Sequence, residues 1–211
     1  LMKPRLYQFL REIKTINSST KGVVCVDTSP IMEKSWAQKA GIGWIGKHTN
    51  LITKDLGSWI FLGEILLDID LVYDIPFTED LCGTCTACLD ACPTNAFPEP
   101  YVLDASKCIS YLTIEHRGDL PPEMDDKLSG WIYGCDICQE VCPWNITFSQ
   151  LSNEESFQPR DNLQKRAIEQ WRMLTEDEFR KLFKNSAVKR TKYEGLKRNI
   201  DSVRKSFGES V

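Results

Sequence analysis

The chain has 211 residues, 42% of them hydrophobic and 27% charged, with a formal net charge of −4. That length buries a core without disulfide staples, as one large globular domain or two small ones. There is no apolar run of roughly 18 residues, which excludes a spanning helix, and LMKPRLYQFLREIK lacks a secretory core, so no export signal is expected.

Residues 22–27 (GVVCVD) predict a short buried strand that delivers Asp27 at its C-terminal end. Ser29 suits a helix N-cap with Pro30 at the first helical position. Met32, Trp36 and Ala40 then recur at i, i+4 and i+8, and Gly41 supplies the stop. The stretch 41–46 (GIGWIG) is too glycine-rich for a helix interior. Residues 49–53 and 58–67 read as two strands joined by the turn Lys54-Asp-Leu-Gly57, the second apolar on both faces and therefore expected inside a sheet. Together these segments predict a partial mixed α/β layer over residues 1–76.

The acidic stretch Asp68 to Asp80, with Ile75-Pro76, marks a boundary before a cysteine-rich module at 77–148. A cysteine-free segment, 149–211, is expected to be helical. Thr175 and Glu178 form a capping box ahead of Phe179, Leu182 and Phe183. A helix over about 190–207 lines up Tyr193, Leu196, Ile200, Val203 and Phe207. Between Arg180 and Lys205 stand ten Lys/Arg and two Asp/Glu, a local charge of +8, so the rest of the chain carries −12. The fold class is α+β.

Eight of the nine cysteines lie between Cys82 and Cys142. An odd, clustered set without an export signal argues against a secreted disulfide framework. Cys82-Gly-Thr-Cys85-Thr-Ala-Cys88-Leu-Asp-Ala-Cys92-Pro93 is the C-x2-C-x2-C-x3-C-P run of bacterial ferredoxins. Three thiolates two residues apart wrap one cuboidal cluster, and the longer spacer and proline send the fourth to another. Cys135-Asp-Ile-Cys138-Gln-Glu-Val-Cys142-Pro143 repeats the end of the pattern, with Cys108 as the remaining candidate for its first cysteine. The ferredoxin cross-over assigns Cys82, Cys85, Cys88 and Cys142 to one 4Fe–4S cluster and Cys92, Cys108, Cys135 and Cys138 to the other. Zinc also takes paired C-x2-C ligands, but seldom a third cysteine at the same spacing followed by Cys-Pro. Cys25, in an apolar strand, reads as a small buried hydrophobe. Oxygen-sensitive clusters lead us to expect a cytoplasmic protein. A plain electron carrier needs little beyond this bacterial-ferredoxin-like module, yet long segments flank it on both sides.

Several blocks resemble epoxyqueuosine reductase: Val26-Asp-Thr-Ser-Pro30, Ala40-Gly-Ile-Gly-Trp-Ile-Gly-Lys-His-Thr-Asn-Leu-Ile52, Tyr101-Val-Leu-Asp104, Cys108-Ile-Ser-Tyr-Leu-Thr-Ile114, Ile132-Tyr-Gly-Cys-Asp-Ile-Cys-Gln-Glu-Val-Cys-Pro-Trp-Asn145, Val188-Lys-Arg190 and Gly195-Leu-Lys-Arg-Asn199. The resemblance implies cobalamin beside the two clusters, and reduction of epoxyqueuosine at the wobble position of tRNA to queuosine. It also implies kinship with reductive dehalogenases. Cobalamin would carry the hard step, with the protein supplying position, electrons and acid. Those dehalogenases are one alternative reading, and an electron-transfer module without a catalytic cofactor is another. The expected partners are a tRNA bearing epoxyqueuosine and an electron donor, for a monomer with no membrane association.

The resemblance makes Asp27 the proton donor. A carboxyl walled by Val24, Val26 and a corrin face would have its protonated form favoured by desolvation. On the residues alone, capping of the following helix explains Asp27 equally well. Implied cobalamin contacts are Asp27, His48, Asn50, Leu51, Ser110, Asp136 and Ile137. His48 taken by itself reads as a hydrogen-bonding surface residue, and it is not expected to ligate cobalt. Lys47 suits a propionamide or a phosphate. Lys189, Arg190, Lys192, Lys197 and Arg198 suit tRNA phosphates, or else form the solvated face of an amphipathic helix. Trp131, Tyr133 and Trp144 suit core packing around a cluster better than stacking on an unpaired base. The family also implies more chain ahead of the Val-Asp-Thr block than the 26 residues preceding Asp27, and helical repeats after Asn199. The cobalamin site is therefore expected to be only partly present.

Overall fold

The computed structural model describes residues 1–158, 163 and 165–206. In chain order its helices and strands are α1 (Met2–Ile16), β1 (Gly22–Cys25), α2 (Glu33–Lys39), β2 (Trp44–Ile45), β3 (Leu51–Ile52), β4 (Glu64–Leu67), α3 (Ala87–Asp90), α4 (Ile109–Ile114), α5 (Ile137–Glu140), α6 (Pro143–Phe148), α7 (Ile168–Arg172), α8 (Glu176–Leu182) and α9 (Lys192–Ser206). They divide into two compact units, Leu1–Cys85 with Cys142–Ser156 and Thr86–Val141 with Phe157–Val211. This partition cuts across the three sequence segments, because the chain returns to the first unit at Cys142. No helix among the described residues is long and apolar enough to cross a membrane.

In the first unit, β1 pairs antiparallel with β4, Gly22 opposite Leu67 and Cys25 opposite Glu64. The expected interior strand over 58–67 is thus only its last four residues, in a two-stranded sheet. Helix α1, not foreseen from the sequence, covers one face. Met2, Leu6, Leu10 and Ile13 recur at helical spacing and turn inward, with Leu10 buried. The opposed pair Val23 and Leu66 stands on the other face and is exposed. Cys25 is buried, as expected of a small hydrophobe.

The 49–53 strand pairs backwards with β2 rather than forwards with 58–67, Trp44 facing Ile52. Its turn is closed by the Gly46 amide donating to the Asn50 carbonyl at 2.9 Å and the Thr49 amide to the Gly46 carbonyl at 2.8 Å. The Lys54–Gly57 segment does turn, with Thr53 and Gly57 bridging each other. Gly57 has φ +67°, and a Cβ there would strike Asn145 Oδ1. Asn145, on α6, receives the Ser58 amide at 2.6 Å and donates to Ser58 Oγ at 2.8 Å. The adjacent Trp144 packs edge-on to buried Trp44, ring centroids 4.8 Å apart, and so belongs to a core.

Helix α2 begins at Glu33, not at Pro30, and its N-cap position is Met32, without a side-chain cap bond. Ser29 is already committed to a turn, its carbonyl accepting the Ile31 amide at 2.8 Å. Starting later rotates the buried face: Ala37 is covered, while Met32, Trp36 and Ala40 are exposed.

The second unit is mostly helical. Ile109 and Leu112 of α4 pack with Leu120, Met124, Leu128 and Val203, and Trp131 and Ile132 lean on that cluster. Leu174, Phe179, Phe183, Leu196 and Ile200 form a second cluster. The capping box forms as expected: Thr175 Oγ1 accepts the Glu178 amide at 3.3 Å and Glu178 Oε2 accepts the Thr175 amide at 3.1 Å. Leu196, Ile200 and Val203 are at most 2% exposed, and Tyr193 is half-buried. Phe207, the last residue of the expected stripe, lies outside the described residues.

Candidate cluster and catalytic site

Three cluster cysteines lie in the first unit. Cys82 and Cys85 sit on one turn, closed by the Cys85 amide donating to the Cys82 carbonyl at 3.0 Å, and Cys142 is buried against Trp44 and Ile52. Lys47 is committed within the protein. Its ammonium is nearly buried and donates to the carbonyls of Gly83 (2.6 Å) and Cys85 (2.9 Å), fastening the cysteine turn to the glycine-rich loop.

The other five lie in the second unit. Cys88 sits on α3, Cys108 at the N-cap of α4, and Cys135 and Cys138 flank the start of α5. Cys92 Sγ accepts the Ala96 amide at 3.3 Å. Burial, and after it the neighbouring thiols of Cys135, Cys108, Cys88 and Cys92, push the Cys138 thiol up to about 12. Burial likewise raises Cys135, with Cys108, Asp136 and Cys92 adding to it against one backbone N–H bond. These thiols are therefore close enough to feel one another, and ionising them together requires a cationic centre. Among the described residues no group of three or more His, Cys, Asp or Glu could hold a single metal ion. A four-iron cube takes its thiolates at separate corners, and an all-cysteine donor set suits it.

Asp27 follows β1 on a turn and adopts φ 53°. Its amide donates to Glu33 Oε1 at 2.7 Å, and the Thr28 amide donates to the Val26 carbonyl at 2.7 Å. Of the side chains expected to wall it, Val24 is buried and Val26 half-buried, and Asp27 itself is exposed. The next residue of α2, Lys34, donates to the Thr49 carbonyl (3.0 Å) and to Asn50 Oδ1 (2.9 Å). One helical turn thus secures both the Asp27 loop and the 48–51 segment. Glu33 and Lys34 were not singled out from the sequence, where they look like an ordinary charged pair in a first turn. Glu64 lies opposite Cys25; its desolvation, and then Glu33, raise its carboxyl.

His48 is not a surface residue. It is 3% exposed, and its Nδ1 accepts the Asn50 amide at 3.2 Å. Desolvation first, then the Lys34 charge, lower it to about 4. The ring is neutral, and with Nδ1 accepting, Nε2 carries the proton. Nε2 is buried without a partner among the described residues. A buried donor without an acceptor is costly, and a corrin amide or phosphate oxygen would satisfy it only if the chain around the ring shifts to admit it. Leu51 is buried and Asn50 half-buried. On these residues the first unit fits one side of a cobalamin. In the second unit, Ser110 follows Cys108 on α4, and Asp136 and Ile137 begin α5. Burial, and then Glu140, raise the Asp136 carboxyl.

The proposed phosphate-binding set divides. Lys189 and Lys192 are exposed. Arg190 Nε pairs with Glu115 Oε1 at 2.7 Å, and Lys197 donates to the Arg172 carbonyl at 2.6 Å. Arg198 turns inward onto the carbonyls of Leu112, His116 and Gly118, where burial and then Arg117 lower its pKa. Tyr133 donates its hydroxyl to the Ala187 carbonyl at 2.9 Å, in keeping with a packing role.

Comparison with known proteins agrees with this chemistry. Residues 81–145 match the family described as a 4Fe-4S double cluster binding domain, so the chain carries an iron–sulfur domain. It is 50% identical over 204 residues to an epoxyqueuosine reductase of Cellulophaga algicola, covering 97% of this chain and 66% of that protein. It is 43% identical over 215 residues to one of Gloeobacter violaceus, covering 100% of this chain and 67% of that protein. Its fold matches a crystal structure of epoxyqueuosine reductase with an epoxyqueuosine-modified tRNA-Tyr stem loop, with TM-score 0.88 and 31% identity over 97% of this chain and 54% of that one. The chain spans about two thirds of the length of the curated relatives it matches and about half of the solved one. With this identity sustained from end to end, the chain belongs to the epoxyqueuosine reductase family.

Proposed function

We propose that this chain forms the cluster-bearing part of an oxidoreductase that converts epoxyqueuosine, at the wobble position of tRNA, to queuosine. Removing an epoxide oxygen as water requires two electrons and two protons. Cobalamin, when bound, supplies the reducible metal centre for the electrons. Cys82, Cys85, Cys88 and Cys142 would hold one 4Fe–4S cluster, and Cys92, Cys108, Cys135 and Cys138 the other, fed by a separate electron donor. Asp27 would deliver a proton to the departing oxygen. His48, Asn50 and Leu51, with Ser110, Asp136 and Ile137, would hold cobalamin, His48 through its Nε2–H. Lys189 and Lys192 would meet tRNA phosphates. We place the protein in the cytoplasm, since such clusters are damaged by oxygen, and read it as a monomer.

The observation that carries this reading is the first turn of α2. It ties the Asp27 loop and the 48–51 segment together through Glu33 and Lys34, beside a buried histidine donor. An electron carrier needs none of these. The tRNA-bound relative supports the substrate. In the test, Asp27→Asn retains both clusters and bound cobalamin but loses reduction of an epoxyqueuosine stem loop by at least about 100-fold. Undiminished turnover would remove Asp27 as the acid. In a second reading, this chain by itself only transfers electrons. Failure to bind cobalamin with both clusters present would select it.

A further inference from the structure

The block Gly195-Leu-Lys-Arg-Asn199 buries its last side chain and half-buries the one before it. Asn199 is 0% exposed, and its Nδ2 donates to the carbonyls of Thr113 (2.9 Å) and Ile132 (3.0 Å). Arg198 donates to the carbonyls of Leu112 (2.7 Å), His116 (3.2 Å) and Gly118 (2.6 Å), and to Asn199 Oδ1 (2.8 Å). Thr191 Oγ1 adds a bond to the Thr113 carbonyl at 2.8 Å, and Arg117 one to the Ile114 carbonyl at 3.0 Å. Leu112, Thr113 and Ile114 close α4, so their carbonyls are among those a helix leaves without an amide partner. Side chains from two distant parts of the sequence complete that end.

The same junction reaches the paired cysteines. Thr113 Oγ1 donates to the Ile109 carbonyl at 2.7 Å and accepts the Gly134 amide at 2.9 Å, one residue before Cys135. Asn199 holds the Ile132 carbonyl in the same segment. Helix α4 is six residues long and starts directly after Cys108. A helix that short has little stability of its own, so its place depends on what holds its far end. Gly195 fits the same construction: a Cβ there would lie 2.6 Å from Thr191 Oγ1 and push that hydroxyl off Thr113.

We infer that Thr113, Arg198 and Asn199 are positioning residues for the second cluster, holding the helix of Cys108 in register with the segment of Cys135 and Cys138. Arg198 is then not a contact for RNA phosphates. The inference rests on the assignment of Cys92, Cys108, Cys135 and Cys138 to one cluster.

The test uses the chain reconstituted with iron and sulfide under anaerobic conditions. Cys108→Ser and Cys85→Ser first identify the EPR signal and midpoint potential of each cluster. If Cys108→Ser leaves intact the signal that Cys135→Ser removes, the ligand assignment itself fails. With the assignment standing, Thr113→Val and Arg198→Lys should lower the occupancy or shift the potential of the Cys108 cluster alone, leaving the other unchanged. Affinity for a tRNA stem loop should stay within about twofold of the parent. Parental occupancy and potential for both clusters in both variants would overturn the inference. So would a loss of RNA affinity in Arg198→Lys with unaltered clusters, which would make Arg198 an RNA contact. Should Arg198→Lys not fold, Thr113→Val, which preserves side-chain shape, decides by the same two outcomes.

Discussion

The Asp27 loop and the Thr113–Asn199 junction hold functional residues by opposite means. Asp27 is exposed, has a positive φ, and is fastened through its amide to Glu33. The junction behind Cys108 is buried and closed by side chains that each bond two or more groups. A left-handed backbone costs a non-glycine residue on the order of 1 kcal/mol, which the bonds holding this loop must offset. A buried polar network that is fully satisfied opens only with the unit around it. The contrast suits the chemistry assigned to each. A proton donor must meet and release substrate, whereas a cluster ligand must stay where its iron is.

The largest expected effect is at the rigid end. Cys135→Ser should abolish one cluster and leave the other, read as halved iron content and the loss of one EPR signal. Next comes Asn199→Leu, which leaves the Ile132 carbonyl without its donor and the Thr113 carbonyl with Thr191 Oγ1 alone. At about 1–3 kcal/mol for each lost partner, it should destabilise the second unit by a few kcal/mol, visible as a lower denaturation midpoint. Retained stability would show that water or relaxation replaces the network, and the contrast would weaken.

An effect of similar size belongs to His48. Its folded value is lowered from 6.5 to about 4, so between those values the unfolded chain binds a proton that the folded chain refuses. Stability is therefore complete above pH 6.5 and falls as the pH drops towards 4, by an amount on the order of 3 kcal/mol. Denaturation midpoints measured across that window should slope for the parent and flatten for His48→Asn. The smallest effect is expected at the loop. Glu33→Ala should raise hydrogen exchange at the Asp27 amide about tenfold while changing global stability by less than about 1 kcal/mol. A global loss instead would place Asp27 in the rigid class.

What the sequence disclosed follows the same division. The iron–sulfur domain was legible because a cuboidal cluster imposes short, fixed spacings on neighbouring residues. The Thr175–Glu178 box and the Leu196–Ile200–Val203 stripe were legible because capping and helical burial are local too. Strand pairing was not: 49–53 is as apolar as a partner for 58–67 as for 44–45, and only the tight Gly46–Asn50 turn decides. Helix α1 carries its period in Leu6, Leu10 and Ile13, but its charged, largely exposed remainder gives no local stop or cap to mark it. Arg198 is hard to read from sequence for a different reason. A charge count does not reveal whether a guanidinium faces water or three carbonyls. His48 likewise carries no sign of burial in its neighbours' identities, and its unsatisfied Nε2 exists only in three dimensions.

The most direct test of the central claim is an anaerobic titration of the iron-reconstituted chain with cobalamin, followed by EPR. The account predicts a bound cob(II)alamin signal without axial nitrogen splitting, because His48 is proposed as a hydrogen-bond donor to the cofactor and not as a cobalt ligand. Cluster signals beside free, unaltered cobalamin would contradict it, and would leave this chain as an electron-transfer unit.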